Sequence, residues 1–387
     1  EQFIYTNLAT GERSDGKKDV HCFHGYSYEK GISTYLGEEV GEGGYVWANP
    51  GMYSNVKTFD VASMHPHSAI ALELFGPVYT KNFEDLVNVR MHIKHHEWDT
   101  VLSMMNGALG KFIDRNADDT KAKKLAYALK IAINSVYGLT SAHFANLFKD
   151  PRNIDNIVAK RGALFMCQLK HDIQKMGGNV IHIKTDSIKI SNPTKEIEDY
   201  ILKKGKEYGY SFEVESIYER LCLVNNAVYI AHCSLDKENG KEAGHWTATG
   251  AQFQIPYVFK KCFSHEKIEF KDLCETKEVK TVMHLDMNEN LPEGEHSYKF
   301  IGKVGLFSPI KKGFGGGELV KESKKKDDTI GYDAVTGTKG YRWLESEEVI
   351  KQHKEEDVDL SYYDSLVNTA IDTISTYGDY EWFVNVQ

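Results

Sequence analysis

Two aspartates, Asp60 and Asp186, carry the chemistry this sequence offers. Asp60 opens the stretch Asp60-Val61-Ala62-Ser63-Met64-His65-Pro66, at the end of the apolar-leaning run 56–59 and just before a strand-breaking proline. Asp186 lies in the run 180–190, which reads as a strand, a tight bend and a returning strand. Between them the spacing predicts a helix over 120–137. At about 100° per residue, Lys123, Lys130, Asn134 and Tyr137 fall within about 60° of one another. Leu125, Ala128, Leu129, Ala132 and Val136 are expected on the opposite, packed side. Two acids able to hold divalent cations, faced by a lysine on a helix, are the equipment for phosphoryl transfer.

The elements that must position these groups follow from pattern. Residues up to about 40 mix polar, glycine and aromatic positions without a helical period, and read as irregular structure with short strands. A strand and the start of a helix are expected over 45–70, and a helix over 83–98 that carries Arg90 and Lys94 four apart. A further helix over 154–176 is closed by Gly177-Gly178. A helix over 196–208, strands over 221–231 and a tail helix over 361–376 complete the reading. On the tail helix, Tyr363, Val367, Ile371 and Ile374 form a packing face. Gly313-Phe314-Gly315-Gly316-Gly317 lacks the Gly-Lys-Ser/Thr of a phosphate-binding loop and is expected to be a turn.

With 387 residues the chain is long enough for two or three folding units with real cores. No apolar run is long enough to cross a membrane, and the opening Glu1-Gln2-Phe3-Ile4 is not a signal peptide. It also lacks an initiator methionine, as expected of a processed or truncated product. The cysteines Cys22, Cys167, Cys222, Cys233, Cys262 and Cys274 include no Cys-x-x-Cys spacing, so free thiols in a reducing compartment, the cytoplasm, are expected. A net charge of −9 excludes a generally basic surface but not a focused basic channel. Positive charge does concentrate at Lys121, Lys123, Lys124 and Lys130, and again at Lys311, Lys312, Lys321, Lys324, Lys325 and Lys326. The second group reads as a solvated loop. Two histidine groups, His92, His95 and His96, and His21 with Cys22 and His24, lack a convincing set of metal partners.

Three segments together resemble the family B DNA polymerases. The first has the family form Asp-x-x-Ser-Leu-Tyr-Pro-Ser as Asp60, Ser63, Met64, His65, Pro66 and His67. The second, Lys-x-x-x-Asn-Ser-x-Tyr-Gly, is matched in full by Lys130, Asn134, Ser135, Tyr137 and Gly138. The third, Asp-Thr-Asp-Ser, appears as Lys184, Thr185, Asp186 and Ser187, and a glycine pair with its tyrosine as Gly43-Gly44-Tyr45. The resemblance runs from about residue 41 to 231 and implies an α+β right-hand polymerase: an antiparallel-sheet palm, helical fingers and a mixed thumb region. It divides the chain into an N-terminal segment (1–40), palm (41–82), fingers (83–140), palm again (141–235), and thumb with C-terminal region (236–387).

The resemblance also implies roles. Asp60, the Val61 carbonyl and Asp186 would hold two Mg²⁺ ions, for which Mn²⁺ can substitute. Ser63, Met64, His65, Arg90, Lys94, Lys130, Asn134 and Tyr137 would bind the deoxynucleoside triphosphate, with Lys130 catalytic through its charge. Gly43, Gly44, Gly138, Lys184, Thr185 and Tyr229 would lie against primer–template DNA. Two departures matter. His65 stands where the family has a tyrosine that crowds the sugar 2′ position. Lys184 replaces the first acid of the third motif, and reads equally as a primer-phosphate contact or a solvated lysine. Ala227 sits where a primer-holding lysine would precede Tyr229.

Only residues 1–42 precede Gly43, too few for a proofreading exonuclease, which is expected upstream in a longer parent, in a separate subunit, or absent. The short interval from Asp60 to Lys130 favours nucleic-acid priming over protein priming, and a viral or phage origin, acting in host cytoplasm, suits so compact a core. Two alternatives stay open: a catalytically weak DNA-binding subunit of a replication complex, and a primase-like polymerase with relaxed sugar choice.

Overall fold

The computed structural model describes residues 3–236 and 243–386, a mixed α+β protein with antiparallel sheets. It divides into two compact units, Glu1–Asn226 with Cys233–Gly244, and Ala227–His232 with His245–Gln387.

The first unit begins with a small antiparallel sheet of β1 (Ser27–Glu29), β2 (Ile32–Tyr35) and β3 (Glu38–Glu39). β4 (Val46–Ala48) and the long β5 (Gly51–Val61) follow, then α1 (Met64–Ala71), α2 (Pro77–Lys94), α3 (Trp98–Ser103) and α4 (Asp119–Thr140). The chain continues through α5 (Ile157–Lys175), β6 (Asn179–Lys184), β7 (Ser187–Ser191), α6 (Lys195–Glu207) and β8 (Phe212–Asn225). Within this unit the strands run β8-β5-β7-β6-β4, each antiparallel to its neighbour.

β5 is central because Val56, Phe59 and Val61 are all buried. α5 is the helix of this core: 14 of its residues are buried, 11 of them uncharged and three, Lys160, Arg161 and Lys170, charged. Leu164, Phe165, Leu169 and Ile173 join Phe59, Val61, Ile183, Ile188 and Ile190 in one cluster. α1 packs on α5 at Gly162, where an added Cβ would lie 2.6 Å from Met64 Sδ; that glycine seats the segment following Asp60.

α2 and α4 enclose a smaller core of Val89, Ile93 and Ala126, joined by Val101. The helix expected over 83–98 runs instead over Pro77–Lys94, because Pro77 suits a first helical turn and Gly76, at φ 84°, turns the chain into it. α4 extends past both expected ends, capped by the Asp118 carboxylate, which accepts from the Lys121 N–H at 2.8 Å. α5 ends at Lys175 with Gly177 at φ 84°, the expected glycine stop.

β9 (Val228–Asp236) is divided between the units. The second unit holds β10 (His245–Thr249), α7 (Ala251–Gln254) and α8 (Pro256–Phe259). It then builds an antiparallel sheet ordered β14-β13-β11-β12-β15 from β11 (Glu275–Asp286), β12 (Tyr298–Ile310), β13 (Glu318–Lys324), β14 (Ile330–Ala334) and β15 (Arg342–Glu345). α9 (Ser346–Lys351), α10 (Leu360–Ser375) and α11 (Tyr380–Val384) close it. α10 buries Tyr362, Tyr363, Ala370 and Ile374, so the tail-helix face centres on Tyr362 and Ala370 as well as on Tyr363 and Ile374. The glycine run 313–317 is a turn between β12 and β13, and Lys324 and Lys325 pair with Asp328 and Asp333 on a solvated hairpin. The six cysteines are free.

Candidate functional site

Asp60 is the penultimate residue of β5 and stands directly opposite Ser187 of β7. The Val61 N–H donates to the Asp186 carbonyl at 2.8 Å. The two acids separated by 126 positions therefore meet on adjacent strands, Asp186 in the bend between β6 and β7. On its other side β5 pairs with β8, and there the register shifts between Thr58 and Phe59: Thr58 faces Ser216, Phe59 faces Val214 and Asp60 faces Glu213. Glu215 is the extra residue of this bulge. Without it Asp60 would oppose Val214; with it a third carboxylate stands directly across the strand. Sequence reasoning missed Glu213, since no motif contains it and an alternating acid on a strand reads as a solvated face.

Asp60, Asp186 and Glu213 line one cavity of about 480 Å³, within the range of small-molecule sites. Val61, Ser63, Met64, His65, Arg90, Met91, Lys94, His95, Lys130, Ile133 and Asn134 also line it. The carboxylates come from strands and their bend, the cations from α2 and α4. Arg90 is held by a hydrogen bond from Nε to the Ala126 carbonyl, 3.1 Å, which ties α2 to α4. Burial lowers its guanidinium pKa, which still leaves it charged. Among the described residues neither Arg90, Lys94 nor Lys130 forms an ion pair with a carboxylate, so their charge is available to an anion.

α4 corrects the expected division of faces. Ala122, Ala126 and Ile133 are buried, with Leu125, Leu129 and Val136 packed beside them, whereas Ala128 and Ala132 are exposed. The Lys130–Asn134–Tyr137 side lies next to the packed side, not opposite it. The physical reason is that α4 lies along α2, so the strip bordering their seam faces the cavity. Tyr137 is not itself in the cavity lining; it is half-buried behind His65, which is, with its ring stacked on the His65 ring at 4.3 Å between centroids and 6° between planes. Burial lowers the pKa of His65, which favours the neutral ring, and its Nδ1 has no hydrogen-bond partner among the described residues.

The remaining expected residues lie outside the cavity lining. Lys184 is exposed at the end of β6, opposite Val46. The Thr185 N–H donates to the Tyr45 carbonyl at 2.9 Å, and Gly44 packs so tightly on Thr185 that an added Cβ would lie 2.8 Å from Oγ1. Gly43 and Gly138 have open space where a Cβ would point, so neither is sterically required. Tyr229 belongs to the second unit. His92 pairs with Glu97 and His96 with Asp119, while Cys22 contacts His24, so these histidines are locally engaged. His95 alone of them reaches the cavity.

Three carboxylates around one cavity repel one another unless a cation lies among them, and an all-oxygen donor set is the chemistry of Mg²⁺ or Mn²⁺. The donor types suit a hard divalent ion, while the ligand oxygens of Asp60, Asp186 and Glu213 do not all lie within 4.8 Å of one another.

No protein-family model matches the chain, and no curated protein matches it. Among solved structures it is similar to the family B DNA polymerase of the hyperthermophilic archaeon Pyrobaculum calidifontis, at 14% identity and a TM-score of 0.45. That match covers 89% of this chain and 49% of the polymerase, so the chain spans about half its length. A likeness this distant assigns no activity. No helix is long and apolar enough to cross a membrane among the described residues.

Proposed function

We propose that this chain carries the catalytic core of a template-directed DNA polymerase of the family B type, extending a primer 3′-end with deoxynucleotides. One observation carries the reading: a single cavity joins the acids of the first and third motifs to the lysine of the second, with carboxylates from strands and cations from helices. In this reading residues 41–82 and 141–235 are the palm, 83–140 the fingers, and 236–387 the thumb and C-terminal region.

Lys130, Arg90 and Lys94 bind the triphosphate, Arg90 with a guanidinium already oriented by Ala126. Asp60 and Asp186, supported by Glu213, hold the divalent ions; the Val61 carbonyl is a further donor. When bound, such ions lower the pKa of the primer hydroxyl and offset charge on the leaving pyrophosphate. The neutral His65 ring, flat against Tyr137, forms a rigid surface beside the incoming nucleotide. Because that stack fixes His65 in place, it can exclude a 2′-hydroxyl by volume as a tyrosine would.

The test is extension of a labelled primer on a template with Mg²⁺, with deoxy- and ribonucleotides in parallel, for wild type and Asp186→Ala. Deoxynucleotides are added by the wild type, and the alanine variant loses several orders of magnitude. Absence of extension with either metal would favour a DNA-binding subunit, and equal use of both sugars a primase-like enzyme.

A further inference from the structure

The bend that carries Asp186 is held from outside the cavity. Thr185 has φ 56°, a left-handed conformation that a β-branched residue adopts only when its surroundings enforce it. Two enforcing contacts are present: the Thr185 N–H donates to the Tyr45 carbonyl, and the Thr185 side chain abuts Gly44. Tyr45 is itself fixed. It is 2% exposed, and its hydroxyl donates to Glu38 Oε1 at 2.7 Å. Lys170 Nζ bonds both Glu38 oxygens at 2.8 and 2.7 Å, His171 Nε2 meets Oε2 at 2.6 Å, and Lys170 Nζ lies 5.4 and 4.5 Å from the Tyr45 and Trp47 ring centroids.

Cys167, His171 and Glu38 place sulfur, nitrogen and oxygen donors within 4.8 Å of one another, which would suit a soft metal. The Lys170 ammonium already neutralises that carboxylate, so the cluster works as a bracket and needs no ion.

We propose that Glu38, Lys170, Tyr45 and Gly44 are positioning residues for Asp186: the partly buried Glu38–Lys170 ion pair clamps Tyr45, and Tyr45 with Gly44 clamps the Thr185–Asp186 bend. The proposal rests on the reading of Asp186 as a metal ligand. None of the four touches the cavity, so their effect must pass through the aim of one carboxylate. Displacing a reacting group by about 1 Å can cost about 100-fold in rate.

The decisive variant is Gly44→Ala, whose Cβ would lie 2.8, 2.9 and 3.1 Å from Thr185 Oγ1, Cγ2 and Cβ. Thr185→Gly removes all three atoms and suits the positive φ. Mn²⁺ binding, read by electron paramagnetic resonance without turnover, is expected to weaken about 10-fold in Gly44→Ala, and kcat to fall about 10- to 100-fold with the nucleotide KM within about two-fold. Gly44 has φ 157°, so the alanine also strains its own backbone; adding Thr185→Gly relieves the side-chain clash and restores part of the lost Mn²⁺ affinity, the coupling that a contact between the two sites requires. A Gly44→Ala protein that melts like wild type and binds Mn²⁺ equally well overturns the proposal, as does failure of the second change to restore any of that affinity. If Gly44→Ala does not fold, Tyr45→Phe decides: it removes only the hydroxyl on Glu38, and unchanged Mn²⁺ binding there overturns the clamp. Wild type that binds no Mn²⁺ refutes the metal site itself, and the clamp with it.

Discussion

Lys130→Ala isolates the charge that the second motif brings to the cavity. The side chain is exposed on α4, forms no ion pair among the described residues and shares the lining with Arg90 and Lys94. Losing it breaks nothing in the folded protein, so stability should change by less than about 0.5 kcal/mol and the melting temperature by about 2 °C at most. Against a bound phosphate the effect is large. Unit charges about 4 Å apart attract by about 4 kcal/mol at an effective dielectric of about 20. The open cavity screens part of that, and two neighbouring cations remain, leaving about 2–3 kcal/mol, the range of a hydrogen bond to a charged group. That is about a 30- to 150-fold loss in kcat/KM for the nucleotide. Steady-state primer extension with varied deoxynucleotide measures it, and Lys130→Arg should recover a part. A loss under about three-fold would refute the placement of the triphosphate beside α4, and with it the argument that the unpaired cations of this cavity await an anion.

Two further expectations follow from residues outside the motifs. Glu213→Gln keeps the bulge and the side-chain volume but removes one carboxylate; the Mg²⁺ concentration for half-maximal activity should rise about 5- to 20-fold, about 1–2 kcal/mol of ion affinity, and an unchanged Mg²⁺ requirement would place Glu213 outside the ion site. Glu38 links pH to stability: burial alone would raise its pKa, but hydrogen bonds from Lys170, Tyr45 and His171 outweigh that and bring it to about 2. A carboxylate depressed on folding stabilises fully above its unfolded value near 4.5 and loses that contribution as pH falls towards 2. After discount for solvent screening this is about 1–2 kcal/mol, so wild type should lose melting temperature between pH 5 and 2 more steeply than Glu38→Gln, and parallel curves would contradict the assignment.

Much of the helical framework was legible because its signals are local. The Asp118 cap, the glycines after α5 and the period of α4 act within a few residues, so their elements appear near where the pattern puts them. The packed face of α4 was misjudged for the opposite reason. Alanines read as apolar, but which alanines are buried depends on where α2 lies, and Ala122 and Ala126 face it while Ala128 and Ala132 do not.

By itself the sequence determined the chemical types: an acid at a strand end, an acid in a bend, and a lysine four residues before an asparagine on one helix, each dictated by short-range pattern. Tertiary structure decided which of these groups share a cavity. The pairing of β5 with β7 brings Asp60 beside the Asp186 bend, and the bulge at Glu215 turns Glu213 towards Asp60. Strand register has a period of two, so a single inserted residue exchanges one face for the other. That choice is made by the partner strand and the core beneath it, and no window of the chain contains it.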